Sequence, residues 1–305
     1  MKKVLTVTLN PCIDRTIYFN EFKQGATNYV DNIMEEAAGK GINVAIGLAH
    51  IEVPVKALGF AYTYDCKCLY QKLENEGIEH SFIELPGRMR VNQKLFDLSK
   101  KEMTECNERG QKVGEADVEK LLVLMEEELK EASVLVLSGS VPPGVDKAIY
   151  AKMIRMAKEK EVITVLDASG ELLVEGCKEN PYLIKPNREE FFKAFLSDAV
   201  EKGTMSAEEQ IKEKTAELIK SGISYVCISL GADGMLLADR NGVQKYPAKS
   251  ADVISLQGAG DAMVAGLCKA IYERNEKNMA EYALSMAAST ISLPGTQMGN
   301  AKWQG

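Results

Sequence analysis

Histidine is nearly missing from this sequence: His50 and His80 are the only two in 305 residues. That scarcity argues against histidine-based acid–base chemistry and against a histidine-rich metal site. No apolar run approaches the roughly eighteen residues that a membrane-spanning helix needs, so a soluble chain with no membrane partner is expected. Met1-Lys2-Lys3 runs straight into Val4-Leu5-Thr6-Val7, which leaves no room for an apolar signal region with its cleavage site and points to the cytoplasm. Positive charge is in deficit, with 37 Lys and Arg against 44 Asp and Glu and a net charge of −7. Nucleic-acid binding draws on a basic face whose contacts release counterions, so nucleic acid is not an expected partner. An anionic substrate must then be gripped by a local cationic cluster. Seven cysteines are scattered without a CxxC pair or a histidine pattern beside them, as reduced thiols would be. Cys66 and Cys68, two apart, read as packing positions on an ordinary helix.

What the chain does have is alternation. Val4–Leu9, Val134–Leu137, Val162–Leu166, Tyr182–Ile184 and Tyr225–Leu230 are short apolar runs bounded by turn residues and read as buried strands. Asp117–Lys130, Asp146–Lys158 and Ala207–Lys220 carry helical apolar spacing. Strands alternating with helices predict an α/β fold, a mostly parallel central sheet covered by helices on both faces. Two stretches break the rhythm, about 15–36 and about 80–110, where polar and apolar residues alternate with no helix between them. They predict a small β-sheet inserted twice into a single domain spanning 1–305, placed as a lid over the carboxyl ends of the core strands, where open α/β sheets bind ligands.

Gly258-Ala259-Gly260-Asp261 opens a helical stretch, Ala262 to Leu267. Small residues at a helix start let backbone N–H groups approach an anion, and the helix dipole favours negative charge there. An aspartate at that turn repels phosphate but suits removal of a proton from an attacking hydroxyl. Taken alone, the same residues also describe an acidic helix start after a glycine turn. Other phosphate motifs are absent: Gly39-Lys40-Gly41 lacks the spacing and the following Ser or Thr of a P-loop, no Gly-x-Gly-x-x-Gly opens a strand–helix unit, and the protein-kinase signatures are missing. Arg90 and Lys94 share one face of an apparent strand, as does Arg88. Such a pair clamps a phosphate, arginine as a fork and lysine as a point charge.

Eight ordered segments carry a resemblance that runs from one end of the chain to the other. They are Thr8-Leu9-Asn10-Pro11 with Asp14, Gly39 to Ala45, Arg90 to Lys94, Thr104 to Glu108, Ser138 to Gly144, Lys185 to Glu190, Ser229 to Ala232, and Gly258 to Asp261. The chain resembles the ribokinase-like carbohydrate kinases of the phosphofructokinase B group, in their 1-phosphofructokinase and tagatose-6-phosphate kinase branch. The resemblance implies a three-layer ribokinase-like fold and transfer of a phosphoryl group from ATP, with Mg²⁺, to a ketohexose phosphate. Fructose 1-phosphate is the first expectation and tagatose 6-phosphate the second. A weakly catalytic sugar-phosphate sensor is the reading of another class, and the intact Gly258 to Asp261 segment argues against it.

By the same resemblance Asp14, Gly39, Lys40 and Asn43 line the sugar site. Lys40, Arg90 and Lys94 hold the substrate phosphate, Asp261 is the general base, and Gly258, Ala259 and Gly260 form the oxyanion cradle. Lys185, Asn187, Ser229, Gly231, Ser255 and Gly258 lie along the nucleotide, and Glu190 orients waters around Mg²⁺, an ion that takes few protein ligands. Asn187 followed by Glu190 also reads as a helix cap with its reciprocal partner. The sequence departs from the family pattern at Ala38, at Arg88-Met89, and at Leu256-Gln257, where Thr-Val is usual. A homodimer joined through the lid is expected because the lid strands would otherwise present bare edges.

Overall fold

A computed structural model of the chain describes residues 2–196 and 206–303. In chain order its strands and helices are β1 (Lys3–Thr8), β2 (Cys12–Phe19), β3 (Asn32–Ala38), α1 (Lys40–His50), β4 (Val55–Tyr62), α2 (Cys66–Asn75) and β5 (Glu79–Leu85). Then come β6 (Arg90–Asp97), β7 (Glu102–Asn107), α3 (Glu115–Glu128), β8 (Ala132–Ser138), α4 (Ile149–Glu159), β9 (Ile163–Asp167), α5 (Gly170–Cys177) and β10 (Leu183–Ile184). The rest are α6 (Arg188–Phe195), α7 (Ala207–Ser221), β11 (Tyr225–Ser229), β12 (Met235–Asp239), β13 (Gly242–Tyr246), α8 (Ala259–Tyr272) and α9 (Met279–Ile291).

Two sheets result. The larger has nine strands in the order β13-β12-β11-β10-β9-β8-β1-β4-β5. It is parallel from β5 through β11, and antiparallel only at the β11–β12–β13 edge. Its central strands are continuous apolar runs because both faces are covered: Val4, Leu5, Val7, Val134, Leu135, Val136 and Leu137 are at most 1% exposed. From β1 the chain steps outward to β4 and β5, and from β8 it steps the other way to β9, β10 and β11. Right-handed crossovers then put α1 and α2 on one face and α4 and α5 on the other. The reversal falls between β1 and β8, and such a switch point leaves a crevice outside the carboxyl ends of the strands.

The smaller sheet, ordered β3-β2-β6-β7, covers that crevice. Its central pair is parallel, with Cys12 opposite Arg90 and Phe19 opposite Asp97, and its outer strands are antiparallel to that pair. The mostly parallel sheet, the helical layers and the small second sheet are those expected from the sequence. The strand bounds differ in one respect. The small-sheet strands begin at Cys12 and Arg90, and the stretch from His80 belongs to β5, the edge of the large sheet. The cause is burial: β5 is paired on one side only and mostly half-buried, so its residues alternate like those of a solvated sheet. Cys66 is packed as expected on α2, whereas Cys68 is exposed. No helix among the described residues is long and apolar enough to cross a membrane.

Candidate active site

A cavity of about 480 Å³ lies between the carboxyl ends of β1 and β8, the first turns of α1 and α8, and the inner face of the small sheet. Alternation along the strands of the small sheet decides what faces it. Asp14 on β2 and Arg90, Asn92 and Lys94 on β6 point inward together, because residues two apart share a face.

Helix α8 enters the cavity wall at Gly258, whose backbone is left-handed with φ +74°, a conformation costly for any side-chain-bearing residue. Gly258 supplies no capping side chain, so the first-turn N–H groups keep their capacity for an external acceptor. A Cβ added at Gly260 would meet only Lys185 Nζ at 3.6 Å, an ordinary contact. The protein's own packing therefore does not demand glycine at 260.

Asp261 follows in the first turn of α8 and is 6% exposed. Asn43, on the neighbouring α1, donates from Nδ2 to Asp261 Oδ2 at 2.8 Å. Burial pushes the Asp261 carboxyl up to about 6, the Asp167 charge adding to the rise while Lys40, the Asn43 hydrogen bond and Lys185 oppose it. A carboxylate so poised is ionised at neutral pH yet basic enough to take a proton. Asn43 keeps a buried Oδ1 with no hydrogen-bond partner among the described residues, an acceptor of the kind a sugar hydroxyl satisfies.

Behind the cavity floor lies Asp167, the last residue of β9, fully buried. It sits 3.1 Å from Lys185 Nζ and 3.3 Å from Lys40 Nζ, and accepts from Ser138 Oγ at 3.0 Å. Burial alone would raise its carboxyl, but the two lysines outweigh it and hold Asp167 below the usual carboxylate range. Asp167 in turn raises Lys40, against the effect of burial. Lys40 stays charged at the cavity wall.

On the small-sheet side, Asp14 accepts from Lys94 Nζ at 2.7 Å and from Asn92 Nδ2 at 3.0 Å. Lys94 also donates to Gln257 Oε1 at 2.6 Å. Two of its three donors are thus engaged inside the protein. Arg90 is held by neutral acceptors, the Asn10 and Glu108 carbonyls and Asn92 Oδ1. Of the three cations lining the cavity, it alone has no carboxylate within ion-pairing distance among the described residues, since Lys40 faces Asp167 and Lys94 faces Asp14.

The structure brings Asp14, Gly39, Lys40, Asn43, Arg90, Lys94, Glu190, Gly258 and Asp261 to this one cavity. Lys185 stands just behind it. Asn187 caps α6 in a reciprocal box with Glu190 and bridges to Ser229, so Asn187 and Ser229 form a corner beside the cavity, next to the Glu190 that lines it. Gly231 opens a short turn with φ +61°, and Ser255 donates to the Gly295 carbonyl. Neither lines the cavity. Arg88 lies elsewhere, over the Tyr64 ring at 5.7 Å and against a different hollow; the strand starts only at Arg90, so period-two spacing does not reach back to 88. Asp167, Asn10, Gln257 and Glu105 were not singled out for roles from the sequence. For Asp167 a signal existed, a carboxylate ending a buried parallel strand.

Magnesium needs few protein ligands when phosphates supply the others. Among the described residues no group of three or more His, Cys, Asp or Glu could hold a metal alone. Glu190 accepts at Oε2 from the Asn187 N–H at 2.8 Å and keeps Oε1 outside any hydrogen bond among the described residues. One free carboxylate oxygen at the cavity wall fits a metal brought in by a nucleotide.

The sequence matches the family of pfkB carbohydrate kinases over residues 7–303. It is 31% identical to the 1-phosphofructokinase of Vibrio cholerae, over 98% of this chain and 92% of that protein. Among solved structures, Escherichia coli phosphofructokinase-2 superposes with a TM-score of 0.87 at 24% identity, covering 98% of this chain and 96% of the other. A Thermotoga maritima ribokinase gives 0.77 at 20% identity, covering 97% and 95%; these two likenesses concern the fold. The chain belongs to the pfkB family of carbohydrate kinases, ATP-dependent enzymes built on the ribokinase-like fold.

Proposed function

We propose that this enzyme transfers the γ-phosphoryl group of ATP to the primary hydroxyl of a ketohexose phosphate, with fructose 1-phosphate as substrate and fructose 1,6-bisphosphate as product. The observation that carries this is the pairing, in one cavity, of the uncompensated Arg90 cation with a buried carboxylate raised to about 6. A neutral sugar leaves Arg90 without a counter-ion; a phosphosugar supplies one and brings a hydroxyl to the base. The name borne by the Vibrio relative supports the choice of phosphosugar.

On this reading Asp261 accepts the hydroxyl proton as the sugar oxygen bonds to phosphorus and the bond to the ADP oxygen breaks. The backbone at Gly258, Ala259 and Gly260 receives the charge that builds on the transferring group. Arg90 and Lys40 grip the existing phosphate with the remaining donor of Lys94, while Asp14 and the free Oδ1 of Asn43 orient hydroxyls. Lys185, Asn187, Ser229, Gly231 and Ser255 flank the nucleotide, and Glu190 would hold Mg²⁺ through water. That ion, when bound, neutralises phosphate charge. The small sheet acts as the lid of a single kinase unit and excludes water.

We infer further that two copies associate through the lid. Ile17 is in register with both Ile33 and Leu95 on the face turned away from the cavity, and Ile33 is 51% exposed. The deciding experiment measures ADP release from Mg·ATP with fructose 1-phosphate, tagatose 6-phosphate, fructose 6-phosphate and unphosphorylated fructose. The largest kcat/KM is expected with fructose 1-phosphate. A preference for tagatose 6-phosphate would transfer the assignment to that sugar, and measurable binding with no turnover of any would turn it toward a sensor.

A further inference from the structure

One side chain reaches from the body of the protein to the middle of the lid. Gln257 precedes Gly258, the residue from which α8 starts. Its Oε1 accepts from Lys94 Nζ on β6 at 2.6 Å, and its Nε2 lies 3.3 Å from Met103 Sδ on β7. Lys94 is 5% exposed and carries the link on to Asp14 of β2. Three lid strands therefore converge on one glutamine. Among the described residues the other lid-to-body hydrogen bonds lie nearer the hinge, the base of the lid where its strands end at Cys12, Ala38 and Arg90: Arg90 Nε to the Asn10 carbonyl, Lys72 Nζ to the Ala37 carbonyl, and Thr296 Oγ1 to Glu36. None is farther out than the register of Asp14, whereas Lys94 and Met103 lie beyond it. The body end of the contact is fixed too, since the Gln257 N–H donates to Ser255 Oγ, which donates to the Gly295 carbonyl.

We infer that Gln257 is a positioning residue, a latch that holds the lid over the cavity through Lys94 and ties lid closure to the anion cradle at Gly258. Its chemistry is that of an amide oxygen meeting an ammonium in a water-poor setting, a charge-assisted bond stronger than a neutral one. Because Gln257 and Gly258 are consecutive, a lid displaced outward pulls on the backbone that receives the transferring phosphoryl group. An unlatched lid admits water, and ATP then reacts with water to give ADP and inorganic phosphate instead of a phosphorylated sugar.

The inference rests on the phosphoryl-transfer reading, and two measurements separate them. Gln257→Leu removes the acceptor and Gln257→Asn shortens it out of reach; Gln257→Glu keeps an acceptor for Lys94. With the phosphosugar that the parent enzyme turns over, Leu and Asn variants should raise KM about tenfold, the scale of a lost hydrogen bond to a charged group. Their ratio of ADP formed to sugar phosphorylated should rise above one, and the Glu variant should restore that ratio. Amide exchange along Arg90–Asp97 should quicken in the Leu and Asn variants without any substrate, whatever the sugar proves to be. Parental KM, a ratio of one and unchanged exchange in the Asn variant would overturn the latch, even if the Leu variant failed to fold. Inactivity of the parent toward every phosphosugar, with quickened exchange in the variants, would sink the kinase reading and leave the latch standing.

Discussion

A carboxylate meets two opposed demands when it serves as base near neutral pH: it must be ionised, and it must still want a proton. Asp261 meets both because burial raises it while Lys40 and the Asn43 amide keep the rise to about 6. On the proposed mechanism kcat/KM should climb as pH passes through about 6 and level off above it, since only the ionised form accepts a proton. Asp261→Asn should cut kcat by about 10²–10⁴, the scale of a positioned base, with phosphosugar affinity nearly kept. Stability should move oppositely. A carboxyl whose folded pKa lies above its unfolded value favours the fold at low pH, and that contribution is lost as pH rises through the folded value. The Asn variant should therefore gain in Tm relative to the parent at pH 8, the gain shrinking toward pH 4. Parental turnover by the variant, read in the same ADP-release assay, would remove Asp261 from the role. Asp261 was legible in the sequence because glycines and alanine flank it at a helix start. Asp167 carries no such flank. Its importance comes from two lysines 127 and 18 residues away in the sequence, Lys40 being supplied by α1 and Lys185 by the residue that follows β10, a meeting that local patterning does not encode.

Helix placement sets these distances. Helices α8 and α9 cross so closely at Gly266 that a Cβ there would stand 2.5 Å from the Tyr282 backbone, and backbone cannot swing aside as a side chain can. Since α8 also packs on α1, spreading the α8–α9 pair shifts Asp261 relative to Asn43. Gly266→Ala should cost about 1–3 kcal/mol, the usual penalty of overpacking, seen as a lower urea midpoint in equilibrium unfolding. Its kcat should fall as well although residue 266 lines no part of the cavity; an unchanged midpoint would mean that the helices separate freely. The apolar spacing of α3, α4 and α7 made those helices readable, with ends displaced by up to a few residues from the sequence expectation. The lid strands were readable only as a class. Half-buried strands alternate alike whether they sit at a sheet edge or in a separate small sheet, which is why β5 and β6 read as one unit until pairing distinguishes them.

Across the whole molecule, the lid is a four-stranded sheet with one face committed to the cavity. The opposite face presents Ile17, Ile33 and Leu95 side by side, and β3 and β7 each leave one edge unpaired. A solvated sheet would carry polar residues on that face, and bare edges invite pairing with another chain. A second copy of the same surface answers both features, because a two-fold axis lets one patch cover its equivalent. Sedimentation should therefore give a dimer at working concentration. Ile33→Glu puts a charge into the apolar strip without touching the cavity face, so it should yield a monomer whose body unfolds as before. A lid stripped of its partner is less firmly held, and KM for the phosphosugar should rise more than kcat falls. If the parent sediments as a monomer, the apolar strip has some other use and the lid stands on its hinge contacts and Gln257 alone.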